Sequence, residues 1–221
     1  MEFLDRFLAF NLADLPYVIV VLLIAFTVHE FAHAYVAYKF GDSTAKNQGR
    51  LTLNPIEHLD PIGTLLLLIF GFGWARPVPV NRNHFKNPRL AGVLVSVAGP
   101  LSNLLIAIIG YFVFFLLLSS GVAGAWLPYM NTFINFLVHI NILLFVFNLL
   151  PIPPLDGYRI IEDLVPTRVR VKMTQFEQYG TLIFLILVIT PLSQYTIGPI
   201  FSTLIPGIKN FLSQLFYSIF M

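Results

Sequence analysis

Cysteine is absent from the 221 residues, and charged residues make up only 11% of them. The missing cysteine excludes disulfide frameworks, thiolate metal sites and cysteine nucleophiles together. The missing charge excludes more. A soluble domain carries about a quarter of its residues as Asp, Glu, Lys and Arg, so this chain has less than half the charge that a water-facing surface uses. The net charge of +2 is too small to attract a phosphate backbone, and no nucleic acid partner is expected. The opening residues, MEFLDRFLAF, place acids where a secretory leader has a basic start, so no cleavable leader is expected. What is present instead is apolar: 57% of residues are hydrophobic and the mean hydropathy is +0.80. A lipid bilayer is the solvent that suits such a chain.

Long apolar runs cover about residues 16–38, 90–118, 132–150, 180–192 and 197–220. Roughly 20 helical residues cross a bilayer core. The first two runs exceed that and the third meets it, whereas the fourth does so only if it extends back over 176–179. The fifth holds Pro206, Gly207 and Lys209, which predicts a kink or an interfacial final part. A sixth run, 62–74, reaches only about 20 Å as a helix and is too short to cross.

Charge placement decides what the short run does. If it dips in and returns, Lys39, Lys46, Arg50, Arg76, Arg82, Lys86 and Arg89 share one side with Arg159, Arg168, Arg170 and Lys172. The opposite loops, 119–131 and 193–196, then carry no Lys or Arg, and only Arg6 stands on the far side. A basic excess marks the cytoplasmic side. The expectation is an all-α polytopic membrane protein, one integral membrane domain over 1–221. It has about five to six transmembrane helices, a re-entrant segment, its N-terminus outside and its polar loops in the cytoplasm.

Within the first run stands HEFAH, His29 to His33. Ionisable groups inside a membrane are costly and point to function. His29 and His33 are one helical turn apart on one face, where two imidazoles can share a zinc ion with Glu30 beside them as general base. With the chain's five histidines, the pattern arises by chance on the order of 0.003 times. Zinc then needs a third protein ligand and an open position for water. The candidates are His58, His84, His139, Asp156 and a few loop acids. The stretch FNLLPIPPLDG, residues 147–157, ends a helix with its prolines. Irregular backbone near a membrane is tolerated where it lines a cavity, so Asp156 could stand beside a metal. D-G after prolines is equally a common turn, and both readings stay open on local grounds.

HEFAH early and NLLPIPPLDG later, with AGPLSN at 98–103 and GWARPVPVN at 73–81 between them, resemble the site-2 protease family of intramembrane zinc metalloproteases. The likeness covers most of the chain and is closest to the minimal branch without PDZ or CBS domains. It implies that His29, His33 and Asp156 hold Zn2+, that Glu30 is the catalytic base, and that Asn148 contacts substrate or the oxyanion. The activity implied is hydrolysis of peptide bonds in membrane-embedded helices of single-span protein substrates, near the cytoplasmic face of a prokaryotic cell (inner) membrane. A non-hydrolytic metal-handling protein or transporter using the same ligands is the alternative.

Other polar residues carry separate expectations. His139 reads as a helix–helix hydrogen-bonding residue. His58 stands before the re-entrant run, within reach of the metal in a closed state. Gly99 and Pro100 read as a close helix contact. A substrate helix must unwind to be cut, and its freed backbone groups need partners that a strand edge supplies. Short cytoplasmic-side β strands are expected at 50–54 and 77–81. Because Pro77 and Pro79 cannot donate ladder hydrogen bonds, Arg50, Leu51, Thr52, Leu53 and Asn54 are the expected substrate-binding residues.

Overall fold

The computed structural model describes residues 10–70, 73–121 and 124–221, so Arg6 and the N-terminal segment lie outside the described residues. Among them, three helices are long and apolar enough to cross a membrane. Helix α1 is Leu15–Lys39, opened by a proline in its first turn and followed by Gly41 at positive φ. Helix α2 is the short Pro61–Phe70. Helix α3, Pro88–Ser119, starts at Asn87, whose side chain accepts from the Leu90 N–H. Helix α4 is Leu127–Asn148, entered through a 3-10 turn at Gly124–Trp126. Then come α5 (Asp156–Leu164), α6 (Thr167–Glu177), α7 (Gly180–Ile189) and α8 (Ile197–Phe220).

Helix α4 sits at the centre. One side packs Leu137, Ile140 and Leu144 against Val18, Val21, Leu22, Ala25 and Phe26 of α1 and Leu67 of α2. The other packs Val138, Ile142 and Val146 against Ala107, Tyr111 and Phe115 of α3 and Ile205, Leu212 and Phe216 of α8. Many large apolar residues point outward instead, such as Leu101, Leu105, Ile109 and Phe112 along α3. That outward apolarity is what a lipid-facing surface shows, and the protein is an integral membrane protein.

Of the five to six transmembrane helices expected, α1, α3 and α4 have the length and apolarity of a span among the described residues. Helix α7 has 10 residues, because the chain turns at Gln178 and Tyr179 rather than extending the fourth run backward. Helix α8 has the length, at 24 residues, but its polar content keeps it below the apolarity of α1, α3 and α4. It is one continuous helix with Pro206 inside it. His139 is exposed on α4 and makes no hydrogen bond among the described residues, so the expected helix–helix bond is not formed, although Lys209 of α8 lies near enough to act on it.

The short run behaves as a re-entrant segment. Leu59 before it and Ala75 after it meet in an antiparallel bridge, and the Arg76 N–H donates to the His58 carbonyl at 2.8 Å. A helix whose two ends meet cannot have crossed. No strand forms among the described residues at 50–54 or 77–81. The first stretch spends its hydrogen bonds locally: Arg50 N–H on Ala45, the Thr52 carbonyl on His58 Nε2 at 2.8 Å, and Asn54 N–H on Thr52 Oγ1. Arg50 is buried, and its guanidinium donates to the Arg76 carbonyl at 2.6 Å. Alternation of polar and apolar residues over five positions was too short a pattern to decide a strand against these side-chain contacts.

Asp42 pins the loop that follows. Its buried carboxylate accepts from the Asn81 N–H at 2.6 Å and the Thr44 N–H at 2.9 Å, and it pairs with His84 Nδ1 at 2.9 Å. Burial acts to raise its pKa, but the bonds from Thr44, His84 and Asn81 outweigh burial and hold it below the ordinary carboxylate value. A carboxylate depressed on folding stabilises above its unfolded pKa of about 3.9 and loses that contribution as pH falls through the lower folded value. Asp42→Asn is expected to cost about 1–3 kcal/mol at neutral pH and to flatten the acid limb of a thermal-unfolding profile. An unchanged acid limb would show that Asp42 does not govern it.

Candidate metal centre

Helix α1 brings His29 and His33 to one face, and both are buried against α3 and the start of α5. Their Nε2 atoms stand 3.0 Å apart, and each is 3.3 Å from Asp156 Oδ2. These three residues are the ones among those described that gather ligand atoms within 4.8 Å. The opposite ring nitrogens are spoken for. His29 Nδ1 meets Asn103 Oδ1 at 2.7 Å and His33 Nδ1 meets the Val95 carbonyl at 2.7 Å. A carbonyl only accepts, so each Nδ1 carries a proton, and in the neutral imidazole each Nε2 turns a lone pair into the same small space. Two lone pairs and a carboxylate oxygen so close repel unless a cation joins them. Asp156 Oδ2 is itself buried without a hydrogen-bond partner. The donor set fits a zinc ion, for which two imidazoles and a carboxylate leave a fourth position open.

Local sequence explains how each group arrives. Pro100 offers no N–H to the turn before it, next to the Val95 carbonyl that His33 uses. Gly99, one residue earlier, faces the imidazoles: a Cβ there would lie 2.3 Å from His33 Nε2 and 2.6 Å from His29 Nε2. Its role is therefore to leave room at the ligands, beyond the close helix contact expected. Asp156 opens α5, where a carboxylate suits the positive end of the helix dipole. Gly157 lets α5 start against the end of α4, since a Cβ would lie 2.3 Å from the Leu149 carbonyl oxygen. The far end of α5 is tied down by Arg82, which donates to Asp163 at 2.6 Å and reaches Glu162 at 3.6 Å.

A cleft of about 530 Å3 opens over this cluster, lined by Glu30, Trp74, Pro77, Val78, Asn148 and Arg159 among others. Glu30 Oε2 accepts the Val78 N–H at 2.8 Å, so the returning limb of the re-entrant segment holds the carboxylate in place. Asn148 lines the cleft with one N–H given to the Leu144 carbonyl at 3.0 Å. Of the residues expected from sequence, His29, Glu30, His33, Asn148 and Asp156 come together here. Arg50, Leu51, Thr52, Leu53 and Asn54 do not line the cleft, whereas Ala75, Pro77, Val78 and Val80 do. His58 is buried elsewhere, bonded to Thr52, so it does not join the cluster. Sequence reasoning passed over Asn103 and Asn141. Both are uncharged polar residues in mid-helix apolar runs, and that misplacement was the available signal.

Comparison with known proteins agrees with this chemistry. Residues 121–191 match the family described as Peptidase family M50, a match that includes Asn148 and Asp156 but not HEFAH. The chain is 56% identical over 215 residues to YwhC of Bacillus subtilis, provisionally named a zinc metalloprotease, covering 96% of this chain and 98% of the relative. It is 33% identical over 177 residues to Rip2 of Mycolicibacterium smegmatis, named in the same way, covering 76% of this chain but only 65% of that relative. With MJ0611 of Methanocaldococcus jannaschii, again so named, identity is 34% over 138 residues. No solved structure matches the chain.

Proposed function

The chain belongs to peptidase family M50, the site-2 protease family of zinc metalloproteases, and on that premise we propose that it cuts membrane-embedded helices of single-span proteins near the cytoplasmic face. One observation carries the reading. His29, His33 and Asp156 point lone pairs at one another beneath a cleft that Glu30 also lines. In this proposal His29, His33 and Asp156 hold the zinc and Glu30 is the general base.

When bound, zinc lowers the pKa of the attacking water and polarises the scissile carbonyl. Glu30, fixed through Oε2 by Val78, keeps Oε1 for the water proton and passes that proton to the leaving amine. Asn148 has a second N–H beyond the one given to Leu144, and this is the donor for the oxygen on which charge develops. In this reading a substrate unwound in the cleft pairs with main-chain groups of the stretch whose Ala75, Pro77, Val78 and Val80 line it. The cleft thus provides partners for backbone groups that lipid cannot satisfy.

Depth follows from helix rise. His33 and His29 are six and ten residues from Lys39, which places the site about 10–15 Å below the basic end of α1. The Lys and Arg excess on that end supports a cytoplasmic orientation. Relatives in Bacillus, mycobacteria and Methanocaldococcus support a prokaryotic cell membrane. A transporter would need ionisable groups across both leaflets, whereas the metal-capable cluster among the described residues lies toward one end.

The test is cleavage of single-span substrates by the purified chain in lipid vesicles, with products mapped by mass. Cuts are expected inside the apolar span near its cytoplasmic end, faster where a helix breaker precedes the cut. Cuts confined to soluble loops, or none, would overturn the reading.

A further inference from the structure

The two candidate histidine ligands are held by different means. His33 Nδ1 leans on a main-chain carbonyl, Val95, which no side-chain replacement removes. His29 Nδ1 leans on a side chain, Asn103 Oδ1, and an amide can turn end for end. Something must therefore fix which end of Asn103 faces the imidazole.

The hydrogen bonds around it do so in one direction. Asn141 Nδ2 donates to the Leu137 carbonyl at 2.8 Å, so Asn141 must turn its Oδ1 the other way. That Oδ1 accepts from Asn103 Nδ2 at 2.9 Å. Asn103 Nδ2 also donates to the Ala25 carbonyl at 3.2 Å. Both acceptors demand the NH2 end of Asn103, which leaves its Oδ1 for His29. His29 Nδ1 must then be the donor, and its lone pair is forced onto Nε2. Every link is fully buried, with Asn103 and Asn141 both 0% exposed, so no water substitutes for a missing partner.

We propose that Asn103 is a positioning residue for the metal centre. Oriented by Asn141, it sets the tautomer of His29 so that Nε2 faces the metal. The proposal rests on the reading that His29 is a zinc ligand. Groups that bond the outer nitrogen of a ligating histidine typically contribute 10- to 100-fold to metal affinity. A role as plain glue between α1, α3 and α4 would instead lower stability and leave metal affinity alone.

Zinc affinity by chelator competition, on the full chain in detergent, separates these. Asn103→Leu has no acceptor for His29 and is expected to weaken zinc binding about 10- to 100-fold. Asn103→Asp keeps an acceptor and, protonated, one donor, so it is expected to bind within about threefold of wild type. Asn141→Ala leaves Asn103 in place but removes half of its orienting contacts, and a weakening of about threefold or more is expected. It also keeps the proposal testable should Asn103→Leu not fold. Wild-type affinity in Asn103→Leu, or Asn103→Asp as weak as Asn103→Leu, would overturn the positioning role. Wild-type affinity in Asn141→Ala would overturn the orienting relay. His29→Ala is the separating control. If it too binds zinc as wild type does, the ligand assignment fails; if it loses zinc while the Asn103 variants do not, only the positioning role fails.

Discussion

Glu30→Gln is expected to keep one zinc per chain and to lose peptide hydrolysis about 10²- to 10⁴-fold, the usual contribution of a positioned general base. The amide preserves the shape of the side chain, and its oxygen can still accept the Val78 N–H that now meets Oε2 at 2.8 Å. It cannot take a proton from water. His29→Ala and Asp156→Ala are the contrasting pair, because each removes one of the three ligand atoms gathered within 4.8 Å. Both should fall well below stoichiometric zinc by metal analysis while remaining inserted in the membrane. Turnover by Glu30→Gln within threefold of wild type would remove Glu30 from the chemistry. Full zinc in Asp156→Ala would remove Asp156 from the ligand set.

Gly99→Ala is expected to be nearly as damaging, although residue 99 holds no metal and passes no proton. Its added Cβ would stand 2.3 Å from His33 Nε2 and 2.6 Å from His29 Nε2. Zinc itself sits about 2.0–2.1 Å from a histidine nitrogen, so the methyl crowds the nitrogens that would hold the ion. Either the imidazoles turn away, breaking the bonds from Nδ1 to Asn103 and Val95, or α3 withdraws from α1. Overpacking of this kind costs about 1–3 kcal/mol. The expected outcome is a folded, inserted protein with substoichiometric zinc and turnover lowered at least tenfold. Stoichiometric zinc with wild-type turnover in Gly99→Ala would show that the histidines have more freedom than these distances allow.

The parts of this site that were legible in the sequence are those set by helical period. His29 and His33, four apart in an apolar run, had to share a face, and Glu30 had to lie near them. Asp156 was different: its own neighbourhood read equally well as a turn, and only the likeness of NLLPIPPLDG to a known family favoured it. The misses have a common cause. The Val95 carbonyl and the Val78 N–H are main-chain groups, carried by every residue and marked by none. Asn103 and Asn141 were visible as polar residues in apolar runs, but their meeting depends on how α3 and α4 cross α1. The expected strand at 50–54 failed because nearby His58 takes the Thr52 carbonyl and Arg50 turns inward to the more distant Arg76 carbonyl. The run at 62–74 was too short to cross by its length alone, and its two ends do meet, as a re-entrant segment requires.

The position of Asp156 beyond the last residue of α4 has a consequence for biogenesis. A chain growing from the ribosome exposes HEFAH early, with α1, but has nothing to complete the ligand set until α3 and α4 are inserted and α5 has begun to fold back on them. Two histidines without a carboxylate partner make an incomplete zinc site. On the proposed ligand assignment, the zinc site is therefore completed late in synthesis, after most of the membrane-embedded scaffold is in place.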